Sequence, residues 1–203
     1  MNITRITNYA PCPGMIGSVN HHAFISEGIE YLTRWWREHD APPVSHSLVA
    51  SNAVGCVEAN ADGVDSDPLS IYNDPAYALY WRIPWFWTPE IGLDIAAAAA
   101  KYIGYKYNFG MIAADALSYD LVGHLVNGLT GDALNDFLTK LADSPRLLMC
   151  TMVAVKAMQD VCAIRTIPLR GSLLLPAREN NPERLFCDNE LFIPGATMTI
   201  FQP

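Results

Sequence analysis

Cysteine, histidine and a carboxylate are the raw materials of thiol catalysis. An imidazole within hydrogen-bond reach holds the thiol as thiolate, and a third polar group fixes the imidazole's tautomer and orientation. The sequence offers a candidate for each role. Cys150 stands near the start of the apolar stretch Leu147 to Ile164, where the partial positive charge of a helix N-terminus would lower a thiol pKa. His46 opens the segment Ser-His-Ser-Leu-Val-Ala, and Glu58 lies in Gly-Cys-Val-Glu-Ala, so a hairpin of these two segments would set Glu58 beside His46. Taken singly, each residue also has an ordinary reading: a core cysteine, a satisfied structural histidine, a solvated glutamate.

The elements that must position these residues follow from pattern and punctuation. The first forty residues read as a Pro/Gly-containing loop (Pro11, Pro13, Gly14, Gly17), then a helix from an N-cap at Ser26 through Trp36 that Pro42-Pro43 ends. Val44 to Ala50 and Gly55 to Ala59, separated by Ser51-Asn52-Ala53, predict an antiparallel hairpin. Asn60 to Pro68 reads as loop, and Ala76 to Ile83 as a third strand ending at Pro84. A helix is expected from Asp94 to about Gly104 and a break over Tyr105 to Gly110. Shorter helical pieces are expected between Ala113 and Ala142, with the section around 111–145 forming a helical insertion. Leu147 to Ile164 predicts a central helix packed on a sheet. Ser144-Pro145 also reads as an N-cap and first helical residue, which would put Cys150 in the second turn; a lead-in over 146–149 with the helix starting near Cys150 is preferred. Short strands at Ser172 to Leu175 and Thr197 to Phe201 fall in the Pro-rich remainder. The order helix, strands, helices, strands indicates an α+β fold.

Composition narrows the partners. A chain of 203 residues that is 51% hydrophobic and 17% charged builds a core, and its length suits one sizeable domain with an extension from about 177 to 203. Thirteen basic against twenty-one acidic residues give a net charge of −8 without a Lys/Arg cluster, which argues against nucleic acid and anionic membrane surfaces. No apolar run approaches the roughly 18 residues of a membrane span. The first ten residues lack an apolar signal core, so cytoplasmic synthesis without a secretory signal is expected. Five cysteines, an odd number without Cys-x-x-Cys, argue against a disulfide framework and a zinc knuckle. His21-His22 and His124 complete no ligand spacing, so neither metal nor cofactor is expected. Cys162 lies twelve residues beyond Cys150 and should face elsewhere, whereas Cys56 shares a strand face with Glu58 and would bring a second thiol near it. Trp81, Trp85, Phe86 and Trp87 read as core more readily than as a binding lip.

The order of the motifs resembles a known family. Ser45-His46 before an apolar strand, Val57-Glu58-Ala59 with Gly63-Val64 shortly after, an Arg-bearing strand at Tyr80 to Ile83, Gly104 to Asn108 after a helix, and Met149 to Val153 opening a helix together resemble the circularly permuted, NlpC-like (YiiX-type) branch of the papain-fold cysteine peptidases and amidases. The resemblance runs from about Pro13 to Pro176, though each motif is short. It departs from the family at Met15 after Pro13-Gly14 and at Thr151-Met152 after the cysteine. It implies Cys150 as nucleophile, His46 as general base and acid, Glu58 as the orienting third member, and Tyr107 and Asn108 as pocket residues. It further implies amide hydrolysis, with peptidoglycan stem peptides as the favoured substrate and delivery by a phage particle or secretion device. Two alternatives stand beside it: a thiol acyltransferase or lipid hydrolase of the same fold, and a catalytically inactive structural module such as a phage tail component.

Overall fold

The computed structural model describes residues 1–21, 41–60, 62–74, 76–107, 147–148 and 150–200. Strands β1 (Ile3–Thr7), β2 (Ile16–His21), β3 (His46–Ala50), β4 (Gly55–Asn60), β5 (Gly63–Pro68) and β6 (Tyr77–Arg82) come first. Helix α1 (Pro89–Ala100) leads to the short strands β7 (Lys106–Tyr107) and β8 (Leu147–Leu148). Helix α2 (Cys150–Arg165), helix α3 (Pro182–Cys187) and strand β9 (Ala196–Ile200) follow. The fold is mixed α+β, with a seven-stranded sheet in the order β1-β9-β6-β2-β3-β4-β5. Every neighbouring pair is antiparallel except β1 and β9, which run parallel.

Alternation along the strands divides the core. Ile16, Val49, Val57 and Ala59 point to one face, where α1 and α2 pack. Leu48, Cys56, Leu79 and Trp81 point to the other, which the 3-10 turn Leu69–Tyr72 covers in part with its own Leu69 and Tyr72. Ten of the sixteen residues of α2 are buried, too many for a one-sided amphipathic helix, so α2 is an interior helix covered on several sides. Trp81 lies on the face away from α2 and donates from Nε1 to Thr199 Oγ1, while Phe86 is buried on the helix face, with Trp85 and Trp87 half-buried beside it.

Several elements depart from the reading of the sequence. Strands β1 and β2 form where a loop is expected. β2 is the middle strand and is buried on both faces, so Gly17, Ser18 and Asn20 interrupt any clean alternation. A Cβ at Gly17 would lie 2.4 Å from Leu48 Cδ1 and 2.9 Å from Trp81 Cζ3, so a larger residue would have to displace these buried side chains. β5 replaces the loop expected before Pro68; it is an edge strand, and Asp65 and Asp67 are the kind of charges that protect an edge. Helix α1 starts before Asp94, because Thr88 caps it by accepting from the Ile91 N–H and Pro89 occupies its first position. Residues Gly171–Leu174 form a 3-10 turn rather than a strand, bent by Gly171 at φ +52° and by Asp188, whose carboxylate accepts from the Ser172 N–H. The helix α3 that follows is capped by Asn181, which accepts from the Arg184 N–H at 2.8 Å. The expected hairpin, the third strand and the last strand are present as β3 with β4, β6 and β9. The helix expected from Ser26 to Trp36 and the insertion over 111–145 lie outside the described residues.

Candidate active site

Strand β3 opens with His46, and its neighbour β4 carries Glu58 on the same face. The two strands are joined over Leu48↔Glu58, Val49↔Val57 and Ala50↔Cys56, and the ladder goes no further. The Ala50 N–H donates to Met15 O, immediately before β2, so by alternation the Ser47 N–H points toward β4. There it finds no strand partner and donates instead to Cys150 Sγ. The thiol of the first residue of α2 thus enters the fork where β3 and β4 separate.

His46 bridges the other two groups. Its Nε2 is hydrogen-bonded to Glu58 Oε2, which leaves Nδ1 as the ring nitrogen able to meet Cys150. Burial opposes charge on the ring, but the Cys150 thiolate and the Glu58 carboxylate outweigh it and push the His46 pKa up to about 10. Burial would likewise raise the Cys150 thiol. The His46 imidazolium, the Ser47 N–H and the Thr151 hydroxyl, 3.8 Å from Sγ, hold it below an ordinary thiol value. The side chain of His46 keeps 21% of its surface exposed, whereas Cys150 is buried.

Glu58 is buried, and a buried carboxylate persists only when donors replace water. His46 and the Tyr72 hydroxyl, at 2.5 Å, occupy Oε2, and the Cys56 thiol approaches Oε1 at 3.7 Å. Burial pushes the Glu58 carboxyl up, and these three donors together hold it below the usual carboxylate range. The same negative charge, after burial, pushes the Cys56 thiol and the Tyr72 phenol well above their ordinary values, so neither ionises at neutral pH.

Cys150, His46 and Glu58 are therefore brought together. Tyr107 is placed on β7, its backbone paired with Leu148, two residues ahead of Cys150; Asn108 lies outside the described residues. Cys162 is buried in the core along α2, and burial lifts its pKa to about 11. Cys56 does reach Glu58, as the shared strand face suggested. Sequence reasoning missed Tyr72 and the Ser47 N–H. No spacing flags either, although a buried glutamate needing several donors was a reason to look for a hydroxyl. Among the described residues no group of three or more His, Cys, Asp or Glu side chains clusters as a metal site requires, and no helix is long and apolar enough to cross a membrane.

Chemically, the constellation places a thiol beside an imidazole whose far nitrogen is anchored to a carboxylate, an arrangement that favours a thiolate–imidazolium pair. It sits at the first residue of a helix, whose own N–H has no intrahelical acceptor. Comparison of the chain with protein-family models and with curated proteins finds no match.

Proposed function

We propose that the protein is a cysteine hydrolase of the permuted papain-like, NlpC-like kind that cleaves amide bonds. The observation that carries this reading is His46, held by Glu58 at Nε2 and engaged with Cys150 at the start of α2. The Cys150 thiolate attacks the scissile carbonyl carbon, and the Cys150 N–H receives the developing oxyanion. His46 then passes its Nδ1 proton to the departing amine, leaving a thioester. Water, deprotonated by the same nitrogen, attacks the thioester; the acid leaves and the thiolate and imidazolium are restored. Glu58 stays ionised throughout and stabilises the imidazolium at both ends of the cycle.

Peptidoglycan stem peptides are the substrate favoured by the order of the motifs, and a chain of net charge −8 suits a peptide better than a polyanion. Such a substrate lies outside the cytoplasm.

The test is the pH dependence of iodoacetamide alkylation at Cys150, followed by mass spectrometry in wild type and His46→Ala. Alkylation that persists well below the ~8.5 of a free thiol and is lost in the variant supports the reading. Absence of alkylation at low pH, or indifference to the substitution, removes it and leaves a structural module. With a reactive thiol, release of amine from stem peptides identifies an amidase, whereas acylation by a fatty ester alone identifies an acyltransferase.

A further inference from the structure

We propose that Tyr72 is a positioning residue of this site: its hydroxyl fixes the Glu58 carboxylate, and through it the His46 ring, in the orientation that presents Nδ1 to Cys150. The inference rests on the hydrolase reading above and deepens it.

A carboxylate with a single partner can pivot about its last side-chain bond. Glu58 has donors on both oxygens, His46 and Tyr72 on Oε2 and Cys56 on Oε1, and three fixed directions define the plane of the group. Tyr72 is itself held firmly. It ends the 3-10 turn Leu69–Tyr72, which is pinned at its start by the Leu69 N–H donating to Val54 O in the β3–β4 loop. Its ring stands edge-on to Tyr77, with centroids 5.3 Å apart and planes at 89°. The ring is buried, so the direction of its hydroxyl is set by packing rather than by solvent. A buried tyrosine hydroxyl is satisfied by any acceptor, yet this one shares the very oxygen that receives His46. Oε2 is thereby held where the imidazole must come to it.

The other titratable groups around Glu58 are His46 on β3, Cys56 on β4, and Asp65 and Asp67 on β5, with Cys150 beyond the imidazole. Of the aspartates, Asp67 and Glu58 repel one another, and burial also disfavours charge on Glu58, so the donors on Glu58 are what keep it ionised. Removing the Tyr72 hydroxyl takes away a donor that favours the ionised carboxyl, and Glu58 then accepts its proton at higher pH. Once Glu58 is protonated the imidazolium loses its counter-charge and Cys150 reverts to thiol.

The experiment compares wild type, Tyr72→Phe, Cys56→Ala and Tyr77→Phe by two readouts: the 13C titration of the Glu58 carboxyl, and the acid limb of Cys150 alkylation by iodoacetamide. For Tyr72→Phe both should move up by about one pH unit, making alkylation about tenfold slower on the limb. Cys56→Ala should shift both in the same direction by less, and Tyr77→Phe should leave both in place. If wild type alkylates at low pH and Tyr72→Phe keeps the wild-type limb, Tyr72 only fills space and the proposal falls while the hydrolase reading stands. A wild-type Cys150 that behaves as an ordinary thiol overturns both. Should Tyr72→Phe not fold, an unmoved limb in Cys56→Ala overturns the claim that donors on Glu58 govern the site, and a raised one supports it.

Discussion

His46 and Glu58 sit on adjacent strands yet are not opposite one another. Glu58 pairs with Leu48, so the imidazole reaches diagonally across the last closed rung to meet the carboxylate. Diagonal neighbours on one face of an antiparallel pair are within reach only of long or aromatic side chains, which a histidine and a glutamate together supply.

Glu58→Gln keeps the reach and removes the charge. Its single oxygen cannot serve His46, Tyr72 and Cys56 together, so at least one donor faces the new amide nitrogen. Cys150 alkylation at pH 6 should fall at least about tenfold, a change worth roughly 1.4 kcal/mol, and the thiol should titrate nearer its ordinary value. Urea denaturation should show a loss of about 1–3 kcal/mol. A variant as reactive as wild type at pH 6 would remove Glu58 from the site.

Acid should find the same residue. The folded-state pKa of Glu58 is depressed below the ordinary glutamate value of 4.5. Below 4.5 the unfolded chain takes up a proton that the folded chain refuses, so the contribution of Glu58 is complete above that value and is lost as pH falls through the folded one. Wild type should therefore lose more stability than Glu58→Gln on going from pH 5 to pH 3. Parallel curves for the two proteins would contradict the depressed carboxyl.

Gly92 reverses an ordinary rule. Glycine to alanine inside a helix adds about 1 kcal/mol of stability on propensity alone. Here the added Cβ would stand 2.3 Å from Pro13 O and 2.4 Å from Trp87 Nε1, the acceptor and donor of a 2.9 Å hydrogen bond. Gly92→Ala should lower the thermal midpoint, with a net cost of about 2 kcal/mol. A raised midpoint would show that α1 can retreat from the segment before β2.

Arg82 ties the last third of the chain to the sheet. Its guanidinium, almost fully buried, donates to Phe186 O, to Asn189 Oδ1 at 3.1 Å and to Ile193 O at 3.2 Å, and lies 4.9 Å from the Phe192 ring centre. Arg82→Leu strands these acceptors and should cost about 3 kcal/mol in a denaturation experiment. Arg82→Lys should recover less than half, since a lysine ammonium cannot reproduce the planar fork. Equal stability of the Lys variant and wild type would mean that charge alone matters at this position.

How much of this could be read beforehand depends on how local the cause was. The β3–β4 hairpin and β6 announced themselves through β-branched and aromatic runs bounded by turn residues, and α2 through its apolar length. The start of α2 at Cys150 was the preferred of two readings of the sequence; the pairing of Leu147 and Leu148 with β7 was not foreseen. The site's three members were legible because residue type, order and hairpin geometry agree. β2 was hidden because a strand buried on both faces carries no alternation, and β5 because an acidic edge strand has the composition of a loop. Tyr72 was hidden for another reason. Its partner lies fourteen residues away, and nothing local says where a phenol will point.

Strand β9 lies between β1 and β6, and its parallel pairing with β1 joins residues 3–7 to residues 196–200. The sheet that carries His46 and Glu58 thus stays open, with one side of β6 unpaired, until synthesis has passed residue 200. A ribosome-bound chain that already contains Cys150, His46 and Glu58 still lacks this closure. Such long-range pairing also implies slow folding. The sheet is completed only after Cys150, His46 and Glu58 have all been made.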